Sequence, residues 1–240
     1  MKRLNQILLI CVTSIYCSLV LAYNEGESSV IVVNNGSVFI NGQNVSNGIR
    51  GNGKASQEQR QIPMFSSIQL SGGVDVLFRP SSNVLCAVQA DENLIPLVKT
   101  VVERGILKIF TTESYSTSNR ILVACSAPSL SSASLSGSGD IEIENLNGSP
   151  LSLAINGSGN ILVTGTVTNL SGMVQGSGDI SASGLSAKNG TLSVQGSGDI
   201  NALCTESVTA SVMGSGDILV TGSPATRNQS QMGSGRIKIR

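Results

Sequence analysis

The chain has 240 residues, of which 40% are apolar but only 3% are aromatic, so a core must consist of small and β-branched side chains. Charged residues make up 12%, against about a quarter in ordinary domains. The formal net charge is zero, which leaves no basic excess to neutralise phosphates and excludes nucleic acid as an expected partner. The 27 glycines and the many Ser, Asn and Val residues favour an all-β protein with tight turns over a charge-rich disordered tail.

Residues 1–22 have the pattern of a secretory signal peptide. Lys2 and Arg3 form a basic start, and an apolar run over 7–21 ends in small residues suited to cleavage. This run is short for a membrane span, which needs about 20 residues, so cleavage is expected rather than an uncleaved anchor. The mature chain would carry 13 basic (15 − 2) and 15 acidic residues, a net charge of −2. The sequence predicts an exported protein without a membrane span, located in the periplasm, at the cell surface or outside the cell.

Residues 23–62 form a polar lead-in to the rest of the chain. Two short β-type runs, 29–33 and 37–40, flank an Asn-Asn-Gly sequence at 34–36, which is a strong β-hairpin signal. Residues 42–60 are rich in Gly, Asn, Gln and Ser. We interpret them as a linker or a loosely ordered strand.

Residues 63–240 are predicted to form one domain, which opens with an irregular β region at 63–130. Within that region, residues 91–102 have an approximately helical spacing of apolar side chains with Pro96 near the start, which predicts a short helix or an irregular crossover. Five other runs predict strands: Phe65–Leu70, Val74–Phe78, Val84–Val88, Ile106–Phe110 and Ile121–Ala124.

Three cysteines remain after the signal peptide is removed, namely Cys86, Cys125 and Cys204. An oxidising compartment favours one disulfide and one remaining thiol. We favour the pair Cys86 and Cys125, because both lie in strand-like runs before the repeats. The alternative is three buried cysteines that act as small apolar residues.

Residues 131–240 are regular repeats built on a Gly-Ser-Gly-Asp tetrapeptide that occurs six times, with Asn or Arg in its last position twice. The first glycines of successive copies are 20, 19, 20, 18 and 19 residues apart. A constant period marks a repeat architecture, and about 19 residues are enough for one coil of a parallel β-helix with three short strands. The glycines are expected to form its corners: Gly137, Gly139, Gly157, Gly159, Gly176, Gly178, Gly196, Gly198, Gly214, Gly216, Gly233 and Gly235.

An isoleucine follows every tetrapeptide, and apolar residues alternate with polar ones on both sides of each corner. This period of two predicts a strand, a tight corner and a second strand in each coil. Stacked coils would bring the isoleucines into one buried column: Ile141, Ile161, Ile180, Ile200, Ile218 and Ile237. The last strand ends in Arg236, Lys238 and Arg240 at its outward positions, and such charge discourages edge-to-edge pairing.

The fourth positions of the tetrapeptide would line one outer edge, which we call the aspartate ridge: Asp140, Asn160, Asp179, Asp199 and Asp217. Stacked carboxylates about 5 Å apart repel one another by about 1 kcal/mol or more. The ridge is therefore a candidate ligand or cation site, since calcium takes several oxygen ligands. The alternative is that each aspartate caps its own turn. The nine-residue calcium-binding repeat of β-rolls is absent, and we predict no metal site.

No catalytic constellation is present in the sequence. The chain has no His, its acidic residues recur with the structural period, and Lys188 is the only basic residue between Arg120 and Arg227. No nucleophile elbow or base partner accompanies the many serines. The sequence predicts a protein that is not an enzyme and needs no cofactor, and a polysaccharide-active β-helix enzyme stays as the less favoured alternative.

Six ordered motifs run from residue 65 to residue 240: Phe65-Ser66-Ser67-Ile68, Val74-Asp75-Val76, Gly105-Ile106-Leu107-Lys108-Ile109, Ala127-Pro128-Ser129-Leu130, the tetrapeptide-Ile repeats, and Ile218-Leu219-Val220-Thr221-Gly222-Ser223-Pro224. In this order and spacing they resemble the bacterial head GIN domain family, which is named for auto-transporter adhesins. The resemblance implies a right-handed β-helix related in shape to pectin lyases, exported to the cell envelope and adhesive, without known catalytic residues.

We therefore expect an exported binding or adhesion module that acts through a repetitive polar β-helix surface. Its expected partner is a glycan or a surface protein. The alternative is a structural envelope protein without a specific ligand. The oligomeric state stays open.

Overall fold

The computed structural model describes residues 48–148 and 150–240, and before them the backbone of four short strands. It divides into two units, residues 1–51 with 113–117, and residues 52–112 with 118–240. Apart from the backbone of Leu19–Val20, the predicted signal peptide lies outside the described residues.

No helix in the described part of the chain is long and apolar enough to cross a membrane.

Strands account for almost all of the regular structure. In chain order they are β1 (Leu19–Val20), β2 (Ile31–Asn34), β3 (Ser37–Ile40), β4 (Gln43–Asn44), β5 (Ile49–Arg50), β6 (Ala55–Arg60), β7 (Ser67–Gly72), β8 (Asp75–Pro80), β9 (Leu85–Asp91), β10 (Val98–Glu103), β11 (Ile106–Thr111), β12 (Tyr115–Ser116), β13 (Leu122–Ala127), β14 (Ser132–Gly137), β15 (Ile141–Asn147), β16 (Leu151–Gly157), β17 (Ile161–Gly176), β18 (Ile180–Gly196), β19 (Ile200–Gly214), β20 (Ile218–Thr221), β21 (Thr226–Gly233) and β22 (Ile237–Ile239).

The smaller unit contains two small sheets. In the first, β1 to β4 pair antiparallel in sequence order. Asn34 lies opposite Ser37, so β2 and β3 form the hairpin that the Asn-Asn-Gly sequence predicts. In the second, β5 and β12 pair in parallel.

The larger unit is built on one 16-stranded sheet. The strands of this sheet stack in two series, which we call runs. The long strands β17, β18 and β19, of 15 to 17 residues each, belong to both runs. The first run is β10-β11-β7-β14-β16-β17-β18-β19-β21, and the second is β6-β9-β13-β8-β15-β17-β18-β19-β20-β22. From β14 onward every pairing in the first run is parallel. The predicted parallel β-helix is confirmed, with about five turns.

The Gly-Ser-Gly corners superpose from coil to coil. Gly157 has a φ of +149°, a conformation that L side chains rarely adopt. A Cβ added to Gly159 would lie 1.9 Å from the carbonyl oxygen of Gly139 in the preceding coil. One glycine of each corner is therefore required by its backbone angle, and the other by the close approach of the next coil.

The isoleucine column is continuous through the core. Ile141, Ile161, Ile180, Ile200 and Ile218 are paired in register from coil to coil, and each is at most 1% exposed. The sixth predicted member, Ile237, is in register with Ile218 but only half-buried, because it lies on the terminal coil. Burying one such side chain contributes about 1.5–3 kcal/mol. The column is thus a major part of the core shared by the two runs.

The final coil closes this core with polar side chains. Arg227, Gln229 and Gln231 of β21 occupy the positions that Val208, Ala210 and Val212 fill in β19. All of β21 is exposed. A terminal repeat with a polar outer surface is what a solenoid needs, because no further coil covers it.

Residues 91–102 differ from the predicted helix. Only Ile95–Leu97 forms a single 3-10 turn, and the residues after it form β10, which pairs antiparallel with β11. The two strands are joined through Arg104 and Gly105, which have φ values of +52° and +77°, as a tight two-residue hairpin requires. The helical spacing arose because buried residues of the turn and of the following strand happen to be adjacent in sequence.

Part of the predicted linker is a strand. β6 pairs antiparallel with β9, which is the second of the two interpretations offered by the sequence. Arg60 at its end donates from Nη1 to the carbonyl oxygen of Val98 at 2.6 Å and from Nη2 to that of Ile95 at 3.1 Å. The arginine therefore joins the edge strand of the second run to the start of β10 in the first.

Cys86 and Cys125, the pair favoured from the sequence, are joined by a disulfide. Their Cα atoms lie 4.2 Å apart, and the bond links β9 to β13 across 39 residues of sequence. Cys204 is a buried free thiol, and burial raises its pKa to about 11.

Candidate functional site

At the start of the first run, β10 and β11 carry the paired charges of Glu103 and Lys108. From β7 onward, the outer surface of this run carries three columns of side chains, which we call the hydroxyl face. Its strands are β7, β14, β16 to β19 and β21, and alternation along each strand points every second residue outward. The members are Ser67, Gln69, Ser71, Ser132, Ser134, Ser136, Ser152, Ala154, Asn156, Ser171, Met173, Gln175, Thr191, Ser193, Gln195, Thr209, Ser211, Met213, Asn228, Ser230 and Met232.

None of these 21 positions is charged, and none is buried. Twelve are Ser or Thr, five are Asn or Gln, and four are apolar. At this chain's own share of charged residues, 12%, about two or three of the 21 positions would carry a charge. The face is therefore uncharged over its whole length, although the fold leaves its side chains free to vary.

Most of the polar groups on the hydroxyl face are unused by the protein. Ser134 donates weakly to the carbonyl oxygen of Ile68 at 3.4 Å, and Gln175 to Gln195 at 3.4 Å. The side chains of its other serines, threonines and amides make no hydrogen bond within the described part of the chain. Rows of free donors and acceptors therefore recur about every 4.8 Å along the β-helix, which is the spacing of its strands.

A groove of about 450 Å³ runs along one edge of the hydroxyl face. Its floor includes Leu151 and Leu170, each 2% exposed. One wall belongs to the hydroxyl face, and the other starts at Pro150 and continues through two asparagines. The lining residues are Ser131, Pro150, Leu151, Ser152, Asn169, Leu170, Ser171, Asn189 and Thr191.

The two asparagines of the groove are held by an amide ladder. Nδ2 of Asn189 donates to Oδ1 of Asn169 at 3.1 Å, and the hydroxyl of Ser207 donates to Oδ1 of Asn189 at 2.7 Å. Sequence reasoning missed this groove. Its only signal is that Asn169 and Asn189 recur with the repeat period, seven residues before the corner glycines.

The aspartate ridge is a ladder of hydrogen bonds between coils. The backbone N–H of Asp199 donates to Oδ1 of Asp179 at 2.7 Å, and that of Asp217 to Oδ1 of Asp199 at 2.7 Å. The same bond, between 2.7 and 3.2 Å, links Asp75 to Asp140, Asp140 to Asn160, Asn160 to Asp179, and Asp217 to Arg236. The carboxylates thus cap the turn of the following coil, not their own turn as the sequence alternative proposed.

Two features offset the repulsion along the ridge. Asn160 donates from Nδ2 to Oδ1 of Asp140 at 3.0 Å, so an amide separates that carboxylate from the next one. Arg120 pairs with Asp75 at one end, and Arg236 lies 3.8 Å from Asp217 at the other. Among the described residues no group of three His, Cys, Asp or Glu side chains could hold a metal ion. The aspartate ridge therefore stabilises the stacking of successive coils.

The outer surface of the second run carries charge. Arg79 on β8 makes two hydrogen bonds with Glu144 on β15, at 2.7 and 3.0 Å. The hydrogen bond from Arg79 is the main reason why the pKa of Glu144 lies below its usual value. Charged side chains are therefore tolerated at outward positions of this β-helix.

Solved structures of similar proteins share this fold. A structure described as a "putative adhesin" from Bacteroides fragilis is 25% identical, with a TM-score of 0.67, over 80% of this chain and all of that chain. A "putative lipid binding protein" from Parabacteroides distasonis is also 25% identical, with a TM-score of 0.50, over 80% of this chain and 99% of that one. A "putative adhesin" from the same species is 21% identical with a TM-score of 0.50, which speaks to the fold alone. No curated protein matches the chain.

The family profile described as "Putative auto-transporter adhesin, head GIN domain" matches residues 64–224. This segment includes the irregular β region and five of the six tetrapeptide corners. The chain therefore belongs to the head GIN domain family.

Proposed function

We propose that this protein is an exported, non-catalytic adhesion module of the cell envelope that binds its partner through the hydroxyl face. The observation that carries the proposal is the set of 21 outward positions, in register over seven strands, without one charge. A solenoid presents a long regular surface rather than one deep pocket. Such a surface suits a partner that is itself repetitive and polar.

The use of the acidic residues supports a non-catalytic role. The carboxylates of the aspartate ridge accept backbone hydrogen bonds from the next coil, and the best-paired glutamate, Glu144, is bound to Arg79. The chain has no His to act as a base. These groups have structural partners, and no pair of them is set up for acid–base chemistry.

Export is supported by the predicted signal peptide and by the disulfide between Cys86 and Cys125. Disulfides persist in oxidising compartments and are rare in the cytosol. The family description and the names of the similar structures point to the same location.

The proposal is tested by adding charge to one face at a time. Ser193→Lys with Ser211→Lys places two charges in register on the hydroxyl face, while Ser181→Lys with Asn201→Lys places them in register on the second run of the same strands. We expect the first pair to lower attachment of producing cells at least tenfold, and the second to change it less than twofold. Equal attachment by cells that lack the protein would contradict the proposal.

A structural envelope protein without a specific ligand is the second candidate. The observation in its favour is that β21 and β22, at the end of the β-helix, each pair with one strand only. Unpaired strand edges can template the strand of another copy. Sedimentation of the purified chain over a range of concentrations separates the candidates, because a structural role requires self-association.

A further inference from the structure

We propose that the groove beside the hydroxyl face binds an uncharged, unbranched polysaccharide that lies along the axis of the β-helix. This inference rests on the proposed function, for which it names the partner and the place of contact. The groove is lined by Ser131, Pro150–Ser152, Asn169–Ser171, Asn189 and Thr191.

The direction of the ligand follows from the origin of the lining. Four successive coils contribute to the groove, and their residues are in register, with Ser152, Ser171 and Thr191 directly paired. The same wall group therefore recurs about every 4.8 Å. Only an extended chain that runs across the coils meets all of these groups, and a polymer of identical units meets an equivalent contact in each coil.

The charge of the ligand follows from the lining as well. No charged residue lines the groove, and Lys188, which immediately precedes the groove residue Asn189, pairs with Glu206 at 3.4 Å. An anionic polymer that entered the groove would lose water from its charges without gaining a partner. An uncharged polymer has no charged groups to desolvate and therefore avoids this cost in binding free energy.

The chemical class follows from the free hydroxyls of the groove. The hydroxyls of Ser152, Ser171 and Thr191 make no hydrogen bond within the described part of the chain, and hydroxyls both donate and accept. Sugar hydroxyls have the same dual character, so each sugar unit can exchange hydrogen bonds with the row of wall hydroxyls. An extended peptide would instead be bound through main-chain pairing at an open strand edge, whereas this groove lies among paired strands.

The strength of binding is expected to depend on ligand length. The groove has no aromatic side chain, so each sugar gains only a few hydrogen bonds of about 0.5–1.5 kcal/mol net. Affinity then comes from the repetition of weak contacts along one chain, as in multivalent binding. Short oligosaccharides should bind poorly, and binding should rise until the ligand spans the four coils.

The experiment uses the purified full chain and a panel of immobilised polysaccharides, with the linear polymers β-mannan, amylose and curdlan as uncharged probes and alginate and polygalacturonate as anionic ones. At least one uncharged probe is expected to bind, and oligomers of that probe should gain affinity with length up to a plateau. Binding of the anionic probes alone, or affinity that does not depend on length, would overturn the inference.

Two variants test the groove itself. Asn169→Asp keeps the Oδ1 that accepts from Asn189 but removes a donor and adds a charge, and we expect at least tenfold weaker binding. Asn201→Asp makes the same change on the second run, outside the hydroxyl face, and is expected to change binding less than twofold. Thr191→Val removes one hydroxyl from the opposite wall without adding charge, and a threefold to tenfold loss is expected.

Gln175→Glu distinguishes binding in the groove from binding elsewhere on the hydroxyl face. It adds a charge on the same strand as Asn169 but in a column away from the groove. If it weakens glycan binding as much as Asn169→Asp does, the groove is not the site. If no glycan binds while the lysine pair on the hydroxyl face still abolishes attachment, this inference fails and the proposed function stands. If the lysine pair leaves attachment intact, the proposed function fails as well.

Discussion

The two runs of the β-helix enclose one core and are joined by the same corners, yet their outer surfaces differ. The hydroxyl face has no charge in 21 positions, while the second run carries Arg79, Glu142, Glu144 and Lys238 on strands stacked in the same way. Both surfaces point away from the core, so burial cannot explain the difference. Inner positions are set by packing, and the uncharged outer positions are better explained by a partner.

The largest effect is expected where the two runs meet, at a corner glycine. In Gly178→Ala the new Cβ would lie 2.0 Å from the carbonyl oxygen of Gly159, and because backbone cannot move aside, we expect a loss of about 4 kcal/mol or more in the free energy of unfolding. In Gly184→Ala the nearest atom is a methyl group of Thr164 at 3.0 Å, and the loss should be below about 1 kcal/mol. Urea denaturation of both variants measures the difference, and equal stability would mean that the corners are not tightly stacked.

The core between the two runs should give the next largest effect. Ile180→Ala removes a fully buried side chain of the isoleucine column and should cost about 2–5 kcal/mol, as large-to-small core changes do. Ser171→Ala, on the hydroxyl face, should stay within about 0.5 kcal/mol, as exposed positions usually do. Thermal denaturation checks the pair, and a similar cost at both positions would remove the distinction between inner and outer residues.

A smaller effect is expected at the aspartate ridge. Asp199→Ala removes the acceptor of the Asp217 N–H and should cost about 1 kcal/mol, the net value of one hydrogen bond. Asp199→Asn keeps an oxygen acceptor and should stay within about 0.5 kcal/mol of the native chain. Calcium should leave the melting temperature of all three proteins unchanged. Stabilisation by calcium that Asp199→Ala abolishes would instead assign the ridge to a cation.

The smallest effect concerns the charged surface of the second run. The pKa of Glu144 is lowered by Arg79. The ion pair therefore stabilises the folded state at pH values above the pKa of an unfolded glutamate, about 4.3. This stabilisation is lost as the pH falls through the lower pKa of Glu144 in the folded state. Because Arg79 is exposed and Glu144 is only partly buried, solvent screens the pair and the contribution is small. Melting temperatures of the native chain and of Glu144→Gln should differ slightly at pH 7 and converge in acid. A difference that grows in acid would contradict this assignment.

The regular part of the fold could be predicted because the same residue types recur at nearly the same spacing in six repeats. Six isoleucines and twelve corner glycines at one period leave few alternatives to stacked coils. The irregular region carried no such redundancy. Residues 91–102 could be read as a helix, because apolar residues of a 3-10 turn and of β10 lie side by side in sequence.

The candidate site was only partly predictable. A polar repetitive surface follows from the alternation along the strands, but the partner of each carboxylate on the aspartate ridge does not. The hydrogen bond from Asp217 to Asp199 joins residues 18 positions apart, and no local pattern distinguishes it from a cap within one turn. The groove beside Asn169 likewise exists only because neighbouring coils are in contact.

The sequence by itself determined the coil length, the buried column and the corners, since each depends on a residue type that recurs at a fixed spacing. Tertiary structure decided which outer side chains share a face, which carboxylate caps which turn and where a groove opens. These depend on the register between coils, and register is set by contacts between residues about 19 positions apart rather than by neighbours in the chain.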